Sequence, residues 1–299
     1  MSLALRGIYA PVTTPFGKNG ELDRGAFEHN VRAHMKHGLQ GVVICGSTGE
    51  AALLDERERE LLAEWARPHV GNDALLIAGV GAESTRTTLK YADSAGERGA
   101  DAVLVVAPHY FGTSMTTDAL RAHYLRVADE SPAPVILYNI PKYMHFRLSK
   151  ELVQELAKHE NVIGIKDSSG DRDSLTDYLA AQGDSFTTVT GSGQLWGTAL
   201  QMGARAGILA VSLFAPALSL AVQDAAARKD GATADALQSR LTPLAKVIVG
   251  ELGIAGVKAA LDLVGLRGGM PRSPLLPLSR AESDRVRQLL RDAELQVAA

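Results

Sequence analysis

Eight short apolar segments of strand character alternate with segments of helical periodicity through most of the chain. Strands that alternate with helices over short connections form a parallel sheet. Eight such units with no break in composition favour a closed barrel over an open, doubly wound sheet. The sequence therefore predicts an α/β fold, a (β/α)8 TIM barrel, over residues 1–228. The strand-like segments are 7–12, 41–44, 75–79, 102–106, 134–138, 162–165, 187–190 and 206–210.

After Pro216 the pattern becomes wholly helical. Beyond the eighth barrel helix, helical segments are predicted near residues 232–249, 254–264 and 279–295, and we expect them to form a C-terminal helical cap over residues 229–299.

The uncharged stretch 206–223 approaches the length of a membrane span. Ser212, Pro216 and Ser219 interrupt it, and proline suits the first turn of a new helix. We interpret the stretch as a buried strand, a loop and a buried helix.

The composition limits the partners and the compartment. The net charge is −3 with acids and bases intermixed, which argues against a nucleic-acid-binding surface. The single cysteine, Cys45, excludes an internal disulfide and fits a reducing compartment. Residues 1–6 lead directly into the first strand and leave no room for a signal peptide. We expect a cytoplasmic protein that binds neither a membrane nor nucleic acid.

The sixth predicted strand ends on Lys166, at the end of the barrel where TIM-barrel chemistry takes place. A lysine at the rim of an apolar core is desolvated, and desolvation favours the neutral amine. A neutral amine can attack a carbonyl group to form a Schiff base. The structural alternative is a lysine that extends its ammonium group out of a strand end into water.

Two other strand ends carry candidate residues. Tyr138 ends the fifth strand, where a phenol can relay the protons that Schiff-base chemistry moves, although amphipathic packing is the commoner role for such a tyrosine. Ser47 and Thr48 lie between two glycines after the second strand, at the predicted start of a helix. Their hydroxyls, free amides and the helix dipole suit the carboxylate of a 2-oxo acid, whereas the alternative is a capped turn.

Other candidate sites are less convincing. The glycine-rich stretch after the third strand lacks the third glycine of a dinucleotide fingerprint. His34 and His37 share a helix face, but no nearby carboxylate completes a metal-ligand set. We predict no metal and no cofactor. Cys45 is predicted to be a small core residue, and Lys246 and Lys258 to be rim positions of the cap.

Three motifs together resemble the dihydrodipicolinate synthase/N-acetylneuraminate lyase family of pyruvate-dependent class I aldolases. They are Gly46-Ser47-Thr48-Gly49-Glu50, Tyr138-Asn139-Ile140-Pro141 and Gly164-Ile165-Lys166-Asp167. The resemblance covers nearly the whole chain. It implies that Lys166 forms the Schiff base with pyruvate or another 2-oxo acid and that Tyr138 relays protons with Thr48 beside it.

The resemblance also implies the other parts of the site. Ser47 and Thr48 would hold the substrate carboxylate, and Gly191 and Ile208 would line the pocket. Tyr110 matches the tyrosine that family members insert into the active site of a neighbouring subunit. A homodimer at least is therefore expected, and a homotetramer made of two dimers in most relatives.

The chain departs from the family pattern in the part of the site that binds the second substrate. In dihydrodipicolinate synthases an arginine two residues after the proline of Tyr-Asn-x-Pro binds the carboxylate of the aldehyde. That position is Tyr143 here, which removes a bidentate clamp, and Lys142 or Arg147 would have to substitute in part.

Two further departures concern regulation and sugar binding. Glu56 stands where several synthases carry a histidine of the lysine-feedback site, so we expect no such regulation. Ser192-Gly193-Gln194 follow Gly191, where sialic-acid lyases carry acidic residues that bind polyol hydroxyls.

We therefore expect an aldolase that cleaves a 2-oxo-3-deoxy sugar acid, or a related 4-hydroxy-2-oxo acid, into pyruvate and an aldehyde. Dihydrodipicolinate synthase itself and a dehydratase, in which the same enamine expels hydroxide, are the alternatives within this chemistry. A non-catalytic 2-oxo acid sensor would keep Ser47 and Thr48 but would not need both Lys166 and Tyr138.

Overall fold

The barrel predicted from the sequence is present. The computed structural model describes residues 3–297, so that residues 1–2 of the predicted lead-in and 298–299 of the predicted cap lie outside it. Eight parallel strands pair in chain order, and the eighth closes the barrel against the first. The predicted strand ends differ from the observed ones by at most two residues. The strands are β1 (Gly7–Pro11), β2 (Gly41–Ile44), β3 (Leu75–Gly79), β4 (Ala102–Val106), β5 (Val135–Asn139), β6 (Val162–Asp167), β7 (Thr187–Thr190) and β8 (Ala206–Ile208).

Helices surround the barrel, and their starts follow local sequence signals. Asp55 accepts a hydrogen bond from the Glu58 amide while the Glu58 carboxylate accepts one from the Asp55 amide, which is the capping box predicted for the second helix. Pro216 occupies the first turn of the helix Pro216–Ala227, where its missing amide costs no hydrogen bond. The barrel helices are α1 (Arg24–Lys36), α2 (Glu56–Ala66), α3 (Thr85–Glu97), α4 (Thr117–Glu130), α5 (Pro141–Met144), α6 (Lys150–Leu156), α7 (Arg172–Leu179), α8 (Trp196–Gln201) and α9 (Pro216–Ala227).

A helical cap follows the barrel and packs on its catalytic end. It consists of α10 (Gly231–Pro243), a π-helical segment (Leu244–Glu251), α11 (Gly253–Leu263) and α12 (Arg280–Asp292). Gln238 of α10 accepts a hydrogen bond from the Gly197 amide at 2.8 Å and donates one to the Gly193 carbonyl at 3.0 Å. The cap therefore fixes the loop that follows β7. Because α10 also packs directly on α9, the division into two domains at residues 228/229 stays a prediction.

The uncharged stretch 206–223 forms β8, a short 3-10 turn and the first part of α9, as predicted. Within residues 3–297, no helix combines the length and the apolar character needed to cross a membrane.

One prediction about the cap is wrong. Lys246 is exposed, as a rim residue should be, but Lys258 is only 2% exposed and lies 2.5 Å from the carboxylate of Glu50. Its apolar neighbours on α11 gave no sign of this pairing, because the acidic partner comes from the loop after β2.

His34 is a buried histidine on the inner face of α1 that should make stability depend on pH. It is 1% exposed, and neither ring nitrogen has a hydrogen-bond partner within the described part of the chain. Burial lowers the pKa of His34 to about 3, and the charge of His37 acts in the same direction. A histidine in an unfolded chain has a pKa of about 6.5. The neutral His34 ring therefore makes its full contribution to the free energy of unfolding above about pH 6.5. This contribution is lost as the pH falls towards 3.

We expect His34→Leu to weaken this dependence. Between pH 8 and pH 5 the unfolding free energy of the variant should fall by roughly 2 kcal/mol less than that of the wild type. Urea unfolding at the two pH values measures the difference. The matched control is His37→Gln, which removes the exposed histidine directly after the last residue of α1. An identical pH dependence for His34→Leu and the wild type would contradict the assignment.

Candidate active site

A cavity of about 270 Å³ opens at the ends of the strands where the βα loops begin. Loops of the barrel form one side of its wall and the cap forms the other. Every site residue predicted from the sequence, except Tyr110, lines this cavity. These residues are Ser47, Thr48, Tyr138, Tyr143, Lys166, Gly191 and Ile208.

Tyr138 and Lys166 lie side by side because β5 and β6 are paired in register at these two positions. The Lys166 Nζ atom is 4.2 Å from the centroid of the Tyr138 ring. The Tyr138 hydroxyl is in turn 3.4 Å from the Ser47 hydroxyl. The amine, the phenol and one hydroxyl of the turn after β2 therefore form a continuous polar row along the cavity wall.

Lys166 is buried but has no acidic partner. It is 5% exposed, and no carboxylate among residues 3–297 forms an ion pair with it. The neighbouring Asp167 points to the opposite face of β6, since side chains alternate along a strand. Asp167 accepts hydrogen bonds from Asn139 Nδ2 at 2.8 Å and from the Ser169 hydroxyl at 2.7 Å. Burial raises the pKa of Asp167, and these two bonds oppose the rise. The lysine amine thus faces the cavity with no counter-ion from the part of the chain that the structure describes.

Position 191 must be a glycine because the Ser168 side chain lies against it and the stem of Lys166 also passes close. A Cβ atom at this position would lie 1.9 Å from the Ser168 Oγ atom and 3.0 Å from the Lys166 Cε atom. The Gly191 amide also donates a hydrogen bond to the Asp167 carbonyl at 2.6 Å. The backbone after β7 can therefore pack against the lysine only where no side chain intervenes.

The turn after β2 differs from the prediction in one respect. Ser47–Gly49 form a short 3-10 turn, and the α-helix that follows begins only at Glu56. A helix macrodipole therefore contributes less here than the sequence indicated, because its effect is confined to the first turn of a helix. What remains is the pair of hydroxyls at Ser47 and Thr48 and the first amides of the turn, which have no carbonyl partner within it.

None of the described residues that line the cavity is an arginine. Tyr143 lines it, and burial together with the neighbouring Tyr138 raises the pKa of the Tyr143 phenol, so that the phenol stays protonated. Lys142 also lines the cavity and donates a hydrogen bond to the Gly250 carbonyl at 3.1 Å. Arg147 does not line the cavity, and its guanidinium bonds to Asp177 instead. Of the two suggested substitutes for the missing arginine, only Lys142 is in reach.

Tyr110 lies outside the cavity of its own chain. Its ring is 79% exposed and packs edge-on against Phe111 at 5.0 Å. The Glu83 carboxylate accepts hydrogen bonds from the amides of His109 and Tyr110, which holds the loop. Insertion of Tyr110 into a neighbouring subunit stays a prediction.

Neither Cys45 nor a metal site was predicted to take part in the chemistry. Cys45 is buried, as predicted, and burial raises the pKa of its thiol to about 11. Within residues 3–297, no group of three or more histidine, cysteine or acidic side chains is placed to hold a metal ion. The expectation that the chain works without a metal or cofactor stays a prediction.

One wall of the cavity was not predicted from the sequence. The π-helical segment and α11 contribute apolar residues to it whose pattern is that of ordinary core positions. The loop after β6 contributes two serines. An apolar helical stripe does not reveal whether it faces a core or a pocket. The missed lining residues include Ala245, Val249, Ile254, Val257, Ser168 and Ser169.

A closed (β/α)8 barrel with a cavity at the carboxyl ends of its strands is the arrangement of a TIM-barrel enzyme. The sequence profile of the dihydrodipicolinate synthetase family matches residues 4–293 of the chain. The chain is also 35% identical over 292 residues to the 4-hydroxy-tetrahydrodipicolinate synthase of Xanthomonas axonopodis pv. citri, covering 97% of this chain and 95% of that protein. The chain belongs to the dihydrodipicolinate synthetase family, a family of pyruvate-dependent class I aldolases.

Solved structures agree with this assignment. A chloride-inhibited dihydrodipicolinate synthase from Acinetobacter baumannii, complexed with pyruvate, superposes with a TM-score of 0.92 at 30% identity, covering 98% of this chain and 100% of that one. A prophage protein of the same family from E. coli K12, also in complex with pyruvate, gives a TM-score of 0.90 at 28% identity, covering 97% of this chain and 99% of that one.

Proposed function

We propose that the chain is an aldolase that cleaves a 4-hydroxy-2-oxo acid, such as a 2-oxo-3-deoxy sugar acid, into pyruvate and an aldehyde through a Schiff base on Lys166. One observation carries this proposal. The Lys166 amine faces the cavity with no carboxylate partner among the described residues, 4.2 Å from the ring of Tyr138. An ammonium locked in an ion pair could not act as the nucleophile, and a sensor would not need the tyrosine.

The proposed reaction begins when the Lys166 nitrogen attacks the C2 carbonyl of the substrate. Tyr138 gives its phenol proton to the hydroxyl of the resulting carbinolamine, which leaves as water. This step gives a protonated imine, which withdraws electrons from C3, and leaves Tyr138 as a phenolate. The C3–C4 bond then breaks, its electron pair forms an enamine, and the C4 hydroxyl gives its proton to Tyr138 as the aldehyde leaves. Protonation of the enamine at C3 and hydrolysis of the imine release pyruvate and restore the free lysine.

The remaining cavity residues orient the substrate in this scheme. The hydroxyls of Ser47 and Thr48 hold the C1 carboxylate, and Thr48 assists Tyr138. The contact between Ser47 and Tyr138 at 3.4 Å supports this arrangement, because it couples carboxylate binding to the position of the phenol. Gly191 and Ile208 shape the wall beside the reacting carbons.

The outer part of the cavity favours a hydroxylated substrate. Ser168, Ser192, Tyr143 and Gln194 line the cavity and bring three hydroxyls and one amide to it. Such groups form hydrogen bonds with the hydroxyls of a sugar-acid chain. A synthase would need a strong site for the carboxylate of its aldehyde, and no lining residue is an arginine.

The names of the relatives favour a second candidate. The curated relatives at 30–35% identity are 4-hydroxy-tetrahydrodipicolinate synthases, and this activity shares the pyruvate Schiff base with our proposal. A panel of 2-oxo acids separates the possibilities. We expect pyruvate release from 4-hydroxy-2-oxo acids and weak or no condensation of pyruvate with aspartate semialdehyde. Robust turnover of aspartate semialdehyde would overturn the proposal, and product that keeps its full carbon chain would indicate a dehydratase.

The substitution Tyr143→Arg tests how the outer pocket selects its substrate. A guanidinium at this position should improve condensation with aspartate semialdehyde, relative to cleavage, by roughly 10-fold or more, the gain from one charged hydrogen-bonded pair. Steady-state rates with both substrates measure the ratio. Tyr143→Phe, which removes the hydroxyl without adding a charge, is the control and should leave condensation weak. An unchanged ratio in Tyr143→Arg would show that position 143 does not select the aldehyde.

We also propose that the active form is a homotetramer built from two dimers, in which Tyr110 of one subunit completes the site of another. The exposed Tyr110–Phe111 pair supports this, because contiguous apolar side chains on a protein surface often mark an interaction site. No cofactor is needed in the proposed reaction, since the lysine itself supplies the covalent chemistry.

A further inference from the structure

The ion pair between Lys258 and Glu50 is almost completely buried and is not used by the proposed reaction. Lys258 lies on α11 and is 2% exposed, while Glu50 lies in the loop after β2 and is 4% exposed. The Lys258 Nζ atom is 2.5 Å from the Glu50 Oε1 atom.

The ammonium group joins three separate parts of the chain. Besides Glu50, Lys258 donates hydrogen bonds to the carbonyls of Thr14, after β1, and Met270, after α11, at 2.8 and 2.7 Å. The ring of Phe16 covers the ammonium at 4.7 Å. All three donors of the ammonium therefore have partners, which is the condition under which a buried charge is tolerated.

Glu50 ends the turn that carries the two cavity hydroxyls. It directly follows the 3-10 turn Ser47–Gly49, and its backbone has a φ of 58°, in the left-handed region that residues with a side chain rarely adopt. Such a conformation is strained and persists only where the surroundings hold it. The second carboxylate oxygen accepts a hydrogen bond from the Arg272 amide at 2.8 Å, so both ends of the carboxylate are fixed by the cap.

Stability alone does not explain this arrangement, because a well-packed apolar pair usually stabilises a core as well as a buried ion pair does. The location is more informative. Ser47 and Thr48 lie just before Glu50, and Val257, which lines the same cavity, lies just before Lys258. The pair thus connects the cap wall of the cavity to the turn opposite.

We propose that Glu50 and Lys258 are positioning residues that hold the Ser47–Thr48 hydroxyls, and through Ser47 the Tyr138 hydroxyl, in place for the carboxylate of a 2-oxo acid. This inference rests on the proposed function, since it assigns a task within the same site. Neither residue touches the substrate. Loss of the pair moves the turn, so that 2-oxo acid binding weakens more than the chemistry on Lys166.

The test uses the concentration of pyruvate that gives half-maximal borohydride trapping on the full-length protein. In Glu50→Gln and in Lys258→Met this concentration should rise roughly 10-fold to 100-fold, which is the effect expected when binding groups are misplaced by about 1 Å. Saturating pyruvate should still label Lys166 in both variants. The double variant Glu50→Gln/Lys258→Met leaves no unpaired buried charge. It should unfold at a higher temperature than either single variant but keep the raised half-saturation concentration.

Glu58→Gln is the matched control. The Glu58 carboxylate pairs with the guanidinium of Arg272 and ties the same cap loop to α2, and its removal leaves the bond between the Arg272 amide and Glu50 in place. This variant should unfold at a lower temperature and trap pyruvate at the wild-type concentration. A double variant with wild-type half-saturation would overturn the positioning role and leave the proposed function intact. A wild-type protein that traps no pyruvate would instead overturn the proposed function itself.

Discussion

Lys166→Met is expected to abolish pyruvate release from every 4-hydroxy-2-oxo acid that the wild type cleaves. The thioether has nearly the shape of the lysine stem but cannot form an imine, and Lys166 is the lysine whose amine contacts the Tyr138 ring. The loss should be on the order of 10⁵-fold or more, as when the nucleophile of a covalent enzyme is removed. Coupled detection of pyruvate at saturating substrate measures it. The fold should persist, because an apolar side chain replaces a buried amine that has no ion-pair partner in the described chain.

Lys142→Met provides the control for this result. Lys142 also lines the cavity, and it donates a hydrogen bond to the Gly250 carbonyl. Its removal should leave imine formation intact. Turnover of Lys166→Met within an order of magnitude of the wild type, or a greater loss in Lys142→Met, would show that the nucleophile has been assigned to the wrong lysine.

Tyr138→Phe should separate imine formation from proton transfer. The variant keeps the ring that packs 4.2 Å from the Lys166 amine but loses the hydroxyl that is to accept the C4 proton. We expect kcat to fall by about 10²- to 10⁴-fold, the range for removal of a general acid–base group. Borohydride should still trap pyruvate on Lys166 at saturation. Steady-state kinetics on one preparation gives kcat, and borohydride trapping on the same preparation gives the extent of imine formation on Lys166.

Tyr143→Phe is the matched control, since it removes the other phenol of the cavity. It should change the preference among substrates and leave the chemical step largely unaffected. If Tyr138→Phe retained the wild-type kcat, the proton would have to leave by another route. If instead it lost all trapping, Tyr138 would act by placing Lys166 rather than by relaying protons.

The fold was predictable because its signals are local. Each strand is a short apolar run closed by a turn, and helix starts such as Asp55 with Glu58 carry their own capping residues. The barrel followed from counting eight such units. The burial of Lys258 was not predictable, because it depends on Glu50, Thr14 and Met270, which approach α11 only in the folded chain.

The candidate site likewise has a part that could be predicted from the sequence and a part that could not. Lys166, Tyr138 and the Ser47–Thr48 turn stand at strand ends, so their approach to one another follows from barrel topology and could be expected. The cap wall could not, because an apolar stripe on α11 is the same whether it faces a core or a cavity. The short 3-10 form of the Ser47–Gly49 turn was missed for a related reason, since the left-handed conformation of Glu50 that ends the turn is held by contacts from the cap.

The central claim is that one amine, on Lys166, forms a covalent imine with a 2-oxo acid. Incubating the wild-type protein with saturating pyruvate and borohydride, followed by proteolysis and mass spectrometry, tests it most directly. We predict that the mass of one reduced pyruvate is added to the peptide that contains Lys166 and to no other. An unmodified Lys166, or an adduct on Lys142 instead, would contradict the account.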